Sequence, residues 1–200
     1  MKKRVLLIIF SIVLILSLAM ILIENEIVKT QITGYATEGS TISNVTISKY
    51  LSIDMSTNLS TGILFGNITS LPATNQNASH NYDDGSEGTT MAVNVSTDSN
   101  TRVDFCVRAN DDLTDPSNQN YLEIQNETYS NSTLTNSTLP APASETSLDK
   151  TTYIKAGENV SIGGATYYRF WLDVPVGTAS GTYNNTVMFR GVETTLSCGS

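Results

Sequence analysis

The stretch TYYRFWLDV, residues 166–174, decides the fold. Tyr168, Phe170, Leu172 and Val174 fall on every second position, so in an extended chain, whose side chains alternate between faces, they line one apolar surface. The same spacing on a helix would scatter them around the axis. Just downstream lies VPVGTASGTYNN, in which Pro175, Gly177 and Gly181 supply turn chemistry. A reversal there would lay the next strand, marked by Val187 and Phe189, antiparallel to the one before it.

Upstream, Val103, Phe105 and Val107 alternate with Asp104, Cys106 and Arg108, and Met91, Val93 and Val95 repeat the period. Val45, Ile47, Leu51, Ile53 and Met55 do so again, with Lys49 as the one break in the apolar face. TGILFGNI, residues 61–68, and residues 151–155 read as further strands, and residues 121–125 as a short one. The polar run from Ser70 to Gly88 reads as loop. No helical period follows Ile23, so the expected fold is all-β: an immunoglobulin-like antiparallel β-sandwich of about seven or eight strands over residues 41–200.

The other end of the chain obeys different physics. Val5 to Ile23 reads VLLIIFSIVLILSLAMILI, nineteen uncharged residues that as a helix would span about 28 Å, close to the hydrocarbon thickness of a bilayer. Lys2, Lys3 and Arg4 precede it and Glu24 and Glu26 follow, an order that leaves the N-terminus in the cytoplasm and sends the rest outside. Two outcomes stand: a retained single-pass transmembrane helix over residues 1–23, or cleavage near Gly34-Tyr35-Ala36 and secretion. Residues 24–40 then form a linker, in which Ile27 to Ala36 could lend a strand to a neighbour's sheet edge.

Ten Asn-x-Ser/Thr acceptors, at Asn44, Asn58, Asn67, Asn77, Asn94, Asn126, Asn131, Asn136, Asn159 and Asn184, suit an exported, glycosylated domain. Three of them recur every five residues in NETYSNSTLTNSTLPAPA, which reads as an exposed loop shielded by glycans. Beyond Ile23 the chain has eight basic against nineteen acidic residues, a net −11, which repels phosphate backbones and argues against nucleic acid as a partner.

The block YYRFWLDVPVGTASGTYNNTVMFRGV, residues 167–192, resembles the closing strands of prokaryotic secreted immunoglobulin-like domains. Together with LSIDMSTNLSTGILFGNI, residues 51–68, it is also similar to surface glycoproteins of small archaea and, more distantly, to camelysin and TasA-type fibre proteins. The resemblance implies an extracellular sandwich used in surface layers or fibres, with no catalytic residues to carry over.

Few residues invite chemistry. Cys106 and Cys198 are the only cysteines, and export permits a disulfide between them. Asp111, Asp112 and Asp115, beside Asn110, form one acidic loop and Asp83, Asp84 and Glu87 another; either could offer oxygens to calcium, though neither has the alternating spacing of a dedicated calcium loop. His80, the lone histidine, adjoins Ser79 and Asp83, but neighbours on one loop do not give a nucleophile and base converging geometry. Trp171 and Arg169 share the strand face opposite Phe170, where they either contact a ligand or pack beneath a second layer. Tyr183 is placed to anchor a turn as a corner tyrosine does. The expectation is therefore a non-enzymatic surface glycoprotein of structural or adhesive role, assembling with itself or other surface proteins, with an extracellular carbohydrate- or peptide-binding module as the alternative.

Overall fold

The computed structural model describes residues 9–20, 41–117 and 119–199. Two compact units divide the chain, residues 1–46 and 47–200. In the first unit, residues 9–20 are helical. No described helix is long and apolar enough to cross a membrane; the ends of the expected span Val5–Ile23, and the linker with its strand candidate Ile27–Ala36, lie outside the described residues. Residues 41–46 have no regular structure, with Ile42 and Val45 exposed to 92% and 80%.

The second unit is built of antiparallel strands. Its larger sheet has the order β1 (Ile53–Met55), β3 (Ala92–Val95), β10 (Ala165–Val174), β7 (Glu127–Ser132), β8 (Thr146–Ser147), and β2 (Ala73–Asn77) also pairs with β10. The smaller sheet has the order β11 (Val187–Glu193), β4 (Val103–Ala109), β9 (Ile154–Val160). A two-residue pair, β5 (Leu113–Thr114) with β6 (Tyr121–Leu122), stands apart.

β10 organises the larger sheet. Its first residues pair with β3, its last with β2, and its whole middle with β7, where Phe170 stands opposite Tyr129. Tyr168, Phe170, Leu172 and Val174 enter the core as their spacing requires, and Val103, Phe105 and Val107 of β4 meet them from the smaller sheet. The two sheets touch directly where the Tyr168 and Phe189 rings meet edge to face at 5.1 Å. The Tyr168 hydroxyl, drawn into this apolar layer, donates to the Ala156 carbonyl at 2.7 Å and so avoids burial without a partner. At Gly191 on β11 a Cβ would stand 2.7 Å from Ile53, so only glycine lets β1 close over that end of the core.

Four expectations need correction. The run from Val45 to Met55 yields a strand only at Ile53–Met55, because its earlier part extends past the end of β3 and finds no ladder partner. TGILFGNI forms no strand: a single helical turn at Thr57–Thr61, capped by the Ser56 hydroxyl, precedes it, and Ile63, Phe65 and Ile68 pack on the core from an irregular chain. The supposed loop at Asn126–Ala143 contains β7, which lies inside its sheet between β10 and β8, and the polar run after Ser70 contains β2. Finally, residues 175–186 do not close a hairpin. They carry the chain from β10 in one sheet to β11 in the other, where β11 pairs with β4 over its full length.

Candidate functional site

Trp171 and Arg169 do share the outer face of β10, but neither is available to a ligand: Trp171 is 2% exposed and Arg169 is fully buried. The reason lies in two loops that fold over this face. Arg169 Nε donates to the Asn81 carbonyl at 2.8 Å, Nη1 to Pro140 at 2.9 Å, and Nη2 to Glu87 at 2.9 Å and to Asn136. The Tyr82 ring covers its Cζ at 4.0 Å. A guanidinium stripped of water thus recovers hydrogen bonds from four carbonyls on two loops, and burial still lowers its proton affinity from the ordinary arginine value. Trp171 Nε1 donates to Asn77 Oδ1 at 2.9 Å. The buried Asn81 is the residue that sequence reasoning missed: its amide accepts from Phe170 N at 3.0 Å and donates to Phe170 O at 2.8 Å, pairing with β10 as a strand residue would. Nothing in the hydrophobic pattern marks it.

The acidic loops are internally engaged. Asp112 sits 2.6 Å from Lys150 Nζ and accepts from Ile124 N; burial works to raise its pKa, and those two contacts outweigh it and hold the carboxyl below its ordinary value. Asp111 lies 3.6 Å from the same ammonium. Asp115 turns the other way and caps the β5–β6 connection; the Asn120 amide, then Ser117 and Gln119, pull it down to about 2. Asp84 accepts from Gly88 N and Ser86, while Asp83 pairs with His80 and accepts from Thr90. Among the described residues no three His, Cys, Asp or Glu converge as a metal site.

The disulfide is formed. Cys106 and Cys198 are joined, with Cα atoms 5.7 Å apart, and the bond fastens the last residues to the outer face of β4. Beside it on that face the Tyr153 ring carries two guanidiniums, Arg190 Cζ at 4.1 Å and Arg108 Cζ at 4.9 Å from its centroid. Arg108, Arg190 and Tyr153 line a pocket of about 360 Å³ together with Thr151, Thr152, Cys198 and Gly199.

A second concavity, of about 430 Å³, opens where the edge strands β1 and β11 face each other, lined by Ile53, Met55, Val187 and Phe189 among others. Val187 and Phe189 point toward the core yet stay only partly buried, because β11 is the end of its sheet and no described strand lies beyond it. The ten acceptor asparagines all reach the surface wholly or in part, including those within β2, β3 and β7, whereas Asn81, which is no acceptor, is buried. Tyr183 anchors its turn through a hydroxyl bond to the Ala179 carbonyl at 2.8 Å.

No family model, curated protein or solved structure matches this chain.

Proposed function

We propose that the protein is a cell-surface glycoprotein of structural or adhesive role, an immunoglobulin-like β-sandwich displayed outside a membrane by an N-terminal transmembrane helix and assembling with copies of itself. One observation carries the reading. The smaller sheet ends at β11 with Val187 and Phe189 partly uncovered, while Ile42, Val45 and Ile47 stand 92%, 80% and 79% exposed on a strand-patterned segment that its own domain leaves unused. An exposed sheet edge beside an apolar groove is a template for an added strand, whose backbone supplies affinity and whose alternate side chains fill the groove. Val45 and Ile47 lie on one face of such a strand, and Asn44 with its acceptor site lies on the other, so a glycan there would point away from the groove.

Export is supported separately, by the disulfide and by the surface position of every acceptor asparagine. The test is removal of residues 41–47 from the full-length chain, followed by sedimentation velocity and negative-stain microscopy. Monomers where the parent forms oligomers are the expected result; oligomers that persist in the deletion would refute this route of assembly. Intact mass of the natively purified, unreduced chain, if it carried no glycan, would refute the glycoprotein reading independently.

A further inference from the structure

The outer face of the larger sheet is covered in one half and open in the other. Over the second half of β10 two loops bury Arg169 and Trp171. Nearer its start Ala165 and Tyr167 are only half-buried, as is Asn94 beside them on β3, and Asp54 on β1 is exposed. Register explains the grouping. Asn94 stands opposite Ala165 on one side and Asp54 on the other, and Tyr167 stands opposite Ala92, so Asn94 and Tyr167 are diagonal neighbours on one face. Such neighbours lie about 7–8 Å apart, within reach of an aromatic ring. The residues between them in sequence, Val93, Val95 and Tyr168, point into the core.

Asn94 opens the acceptor sequence Asn94-Val95-Ser96. Three other acceptors fall within described strands, and each is placed differently. Asn77, the last residue of β2, has its Oδ1 taken by Trp171 Nε1. Asn131 stands opposite the fully buried Tyr168, and Asn159 has a φ of 52° on β9, at the end of its sheet. Asn94 instead lies on β3 with β1 and β10 paired to either side, and both ladders hold its Cβ outward. Ala165, directly opposite, is small and leaves room for a ring to lie across the strands toward Tyr167. One asparagine side chain and one pyranose together span the diagonal. The negative face of the tyrosine π system attracts the polarised C–H groups on one side of a pyranose, while the sugar hydroxyls turn to water.

We infer that Asn94 carries a glycan that is part of the folded domain: its first pyranose lies across Ala165 and stacks on the Tyr167 ring, covering the open half of the sheet face. The inference rests on the glycoprotein reading above and names the acceptor and the surface that reading leaves open. Attachment joins Asn94 Nδ2 to the anomeric carbon of a phosphate-activated sugar donor. The C–O bond to the phosphate breaks and its electron pair leaves with the phosphate; the N–C bond forms and the amide gives up one proton. A sugar fixed in this way differs from one on an exposed loop, which adds solubility and bulk without touching the fold. Here the ring removes apolar surface of Tyr167 and Ala165 from water, so the folded state holds the sugar more favourably than the unfolded chain does.

The test begins with glycopeptide mass spectrometry of the full-length chain from its native source, resolving all ten acceptors. Asn94 is expected to be occupied. Urea unfolding then compares Asn94→Gln, Tyr167→Thr and the double variant. Each single change should raise the unfolding equilibrium constant, and the effect of losing the ring should shrink by at least about threefold once the sugar is gone. Ser96→Ala, which abolishes the acceptor and keeps the asparagine, should show the same coupling to Tyr167→Thr. Tyr167→Phe keeps the ring and should behave as the parent. Glycans at other acceptors with Asn94 bare would overturn this inference and leave the glycoprotein reading standing, whereas no glycan at any acceptor would remove both. An occupied Asn94 whose loss is additive with that of Tyr167, by either route, would overturn the packing.

Discussion

Glu127, the first residue of β7, is 1% exposed, and among the described residues its side chain is held by the Asn185 amide, which donates to Oε2 at 2.9 Å. Burial pushes its pKa from the ordinary 4.5 up to about 7, against a smaller opposing pull from Asn185. A carboxyl whose folded pKa is raised binds its proton more tightly in the native state, so the native state is favoured below pH 4.5 and loses that advantage as pH climbs to about 7. One group can contribute a slope of at most about 1.4 kcal/mol per pH unit, which over this interval amounts to about 3 kcal/mol. Glu127→Gln keeps an acceptor for Asn185 and cannot ionise. Its extra amide donor imposes a fixed cost of about 1–3 kcal/mol, independent of pH. The assay is urea unfolding of both proteins from pH 4.5 to 8, taking the difference in unfolding free energy at each pH so that groups common to both cancel. That difference should move by about 3 kcal/mol in favour of the glutamine variant between the ends of the range. A difference that stays flat across the range would refute the claim that burial raises the Glu127 pKa. Asp104 and Asp112 act in another window. Their folded pKa values are lowered, so their contribution is present above the ordinary 3.8 and is lost only as pH falls below it, leaving parental stability highest near pH 4 to 5.

Three further outcomes are expected. Arg169→Met removes the donor to four carbonyls on two loops and should destabilise the domain by about 3–5 kcal/mol in urea; Arg169→Lys should recover less than half, because one ammonium cannot reach all four. Asn81→Ala leaves the Phe170 N–H without its acceptor, while the Phe170 carbonyl keeps the Ala78 N–H, at a cost of about 1–3 kcal/mol by the same assay, accompanied by a rise in Trp171 fluorescence accessibility to acrylamide. Cys198→Ser opens a loop whose ends lie 92 residues apart, which on the chain-entropy model costs about 4–5 kcal/mol, and reductant should then have no further effect on the unfolding midpoint.

Properties that depend on neighbouring residues alone were legible in the order of the amino acids. Alternation at period two assigns the inward faces of β4, β10 and β11, because a strand turns successive side chains to opposite sides wherever it lies. Two cysteines leave one intramolecular pairing, and it is made. Acceptor sequences rich in Asn, Ser and Thr favour the surface because these side chains hydrogen-bond water, and all ten asparagines reach it.

Which strands are neighbours, and what covers their outer faces, came from contacts between distant parts of the chain. β7 reads ETYSNS, a polar run whose place in the sheet comes from backbone pairing along β10 and from Tyr129, whose ring meets both Tyr168 and Phe170 in the core. The reverse held for Val45 and Ile47: a strand pattern without a ladder partner stays exposed, since pairing is a property of two chains. Trp171 and Arg169 alternate as an outward pair should, yet two distant loops bury them by offering acceptors that no local pattern announces. The meeting of Arg108, Arg190 and Tyr153 is of the same kind, created by the register of β11 on β4 and by the turn that leads into β9. Long-range hydrogen bonding and register, which short-range spacing does not encode, put the candidate site together.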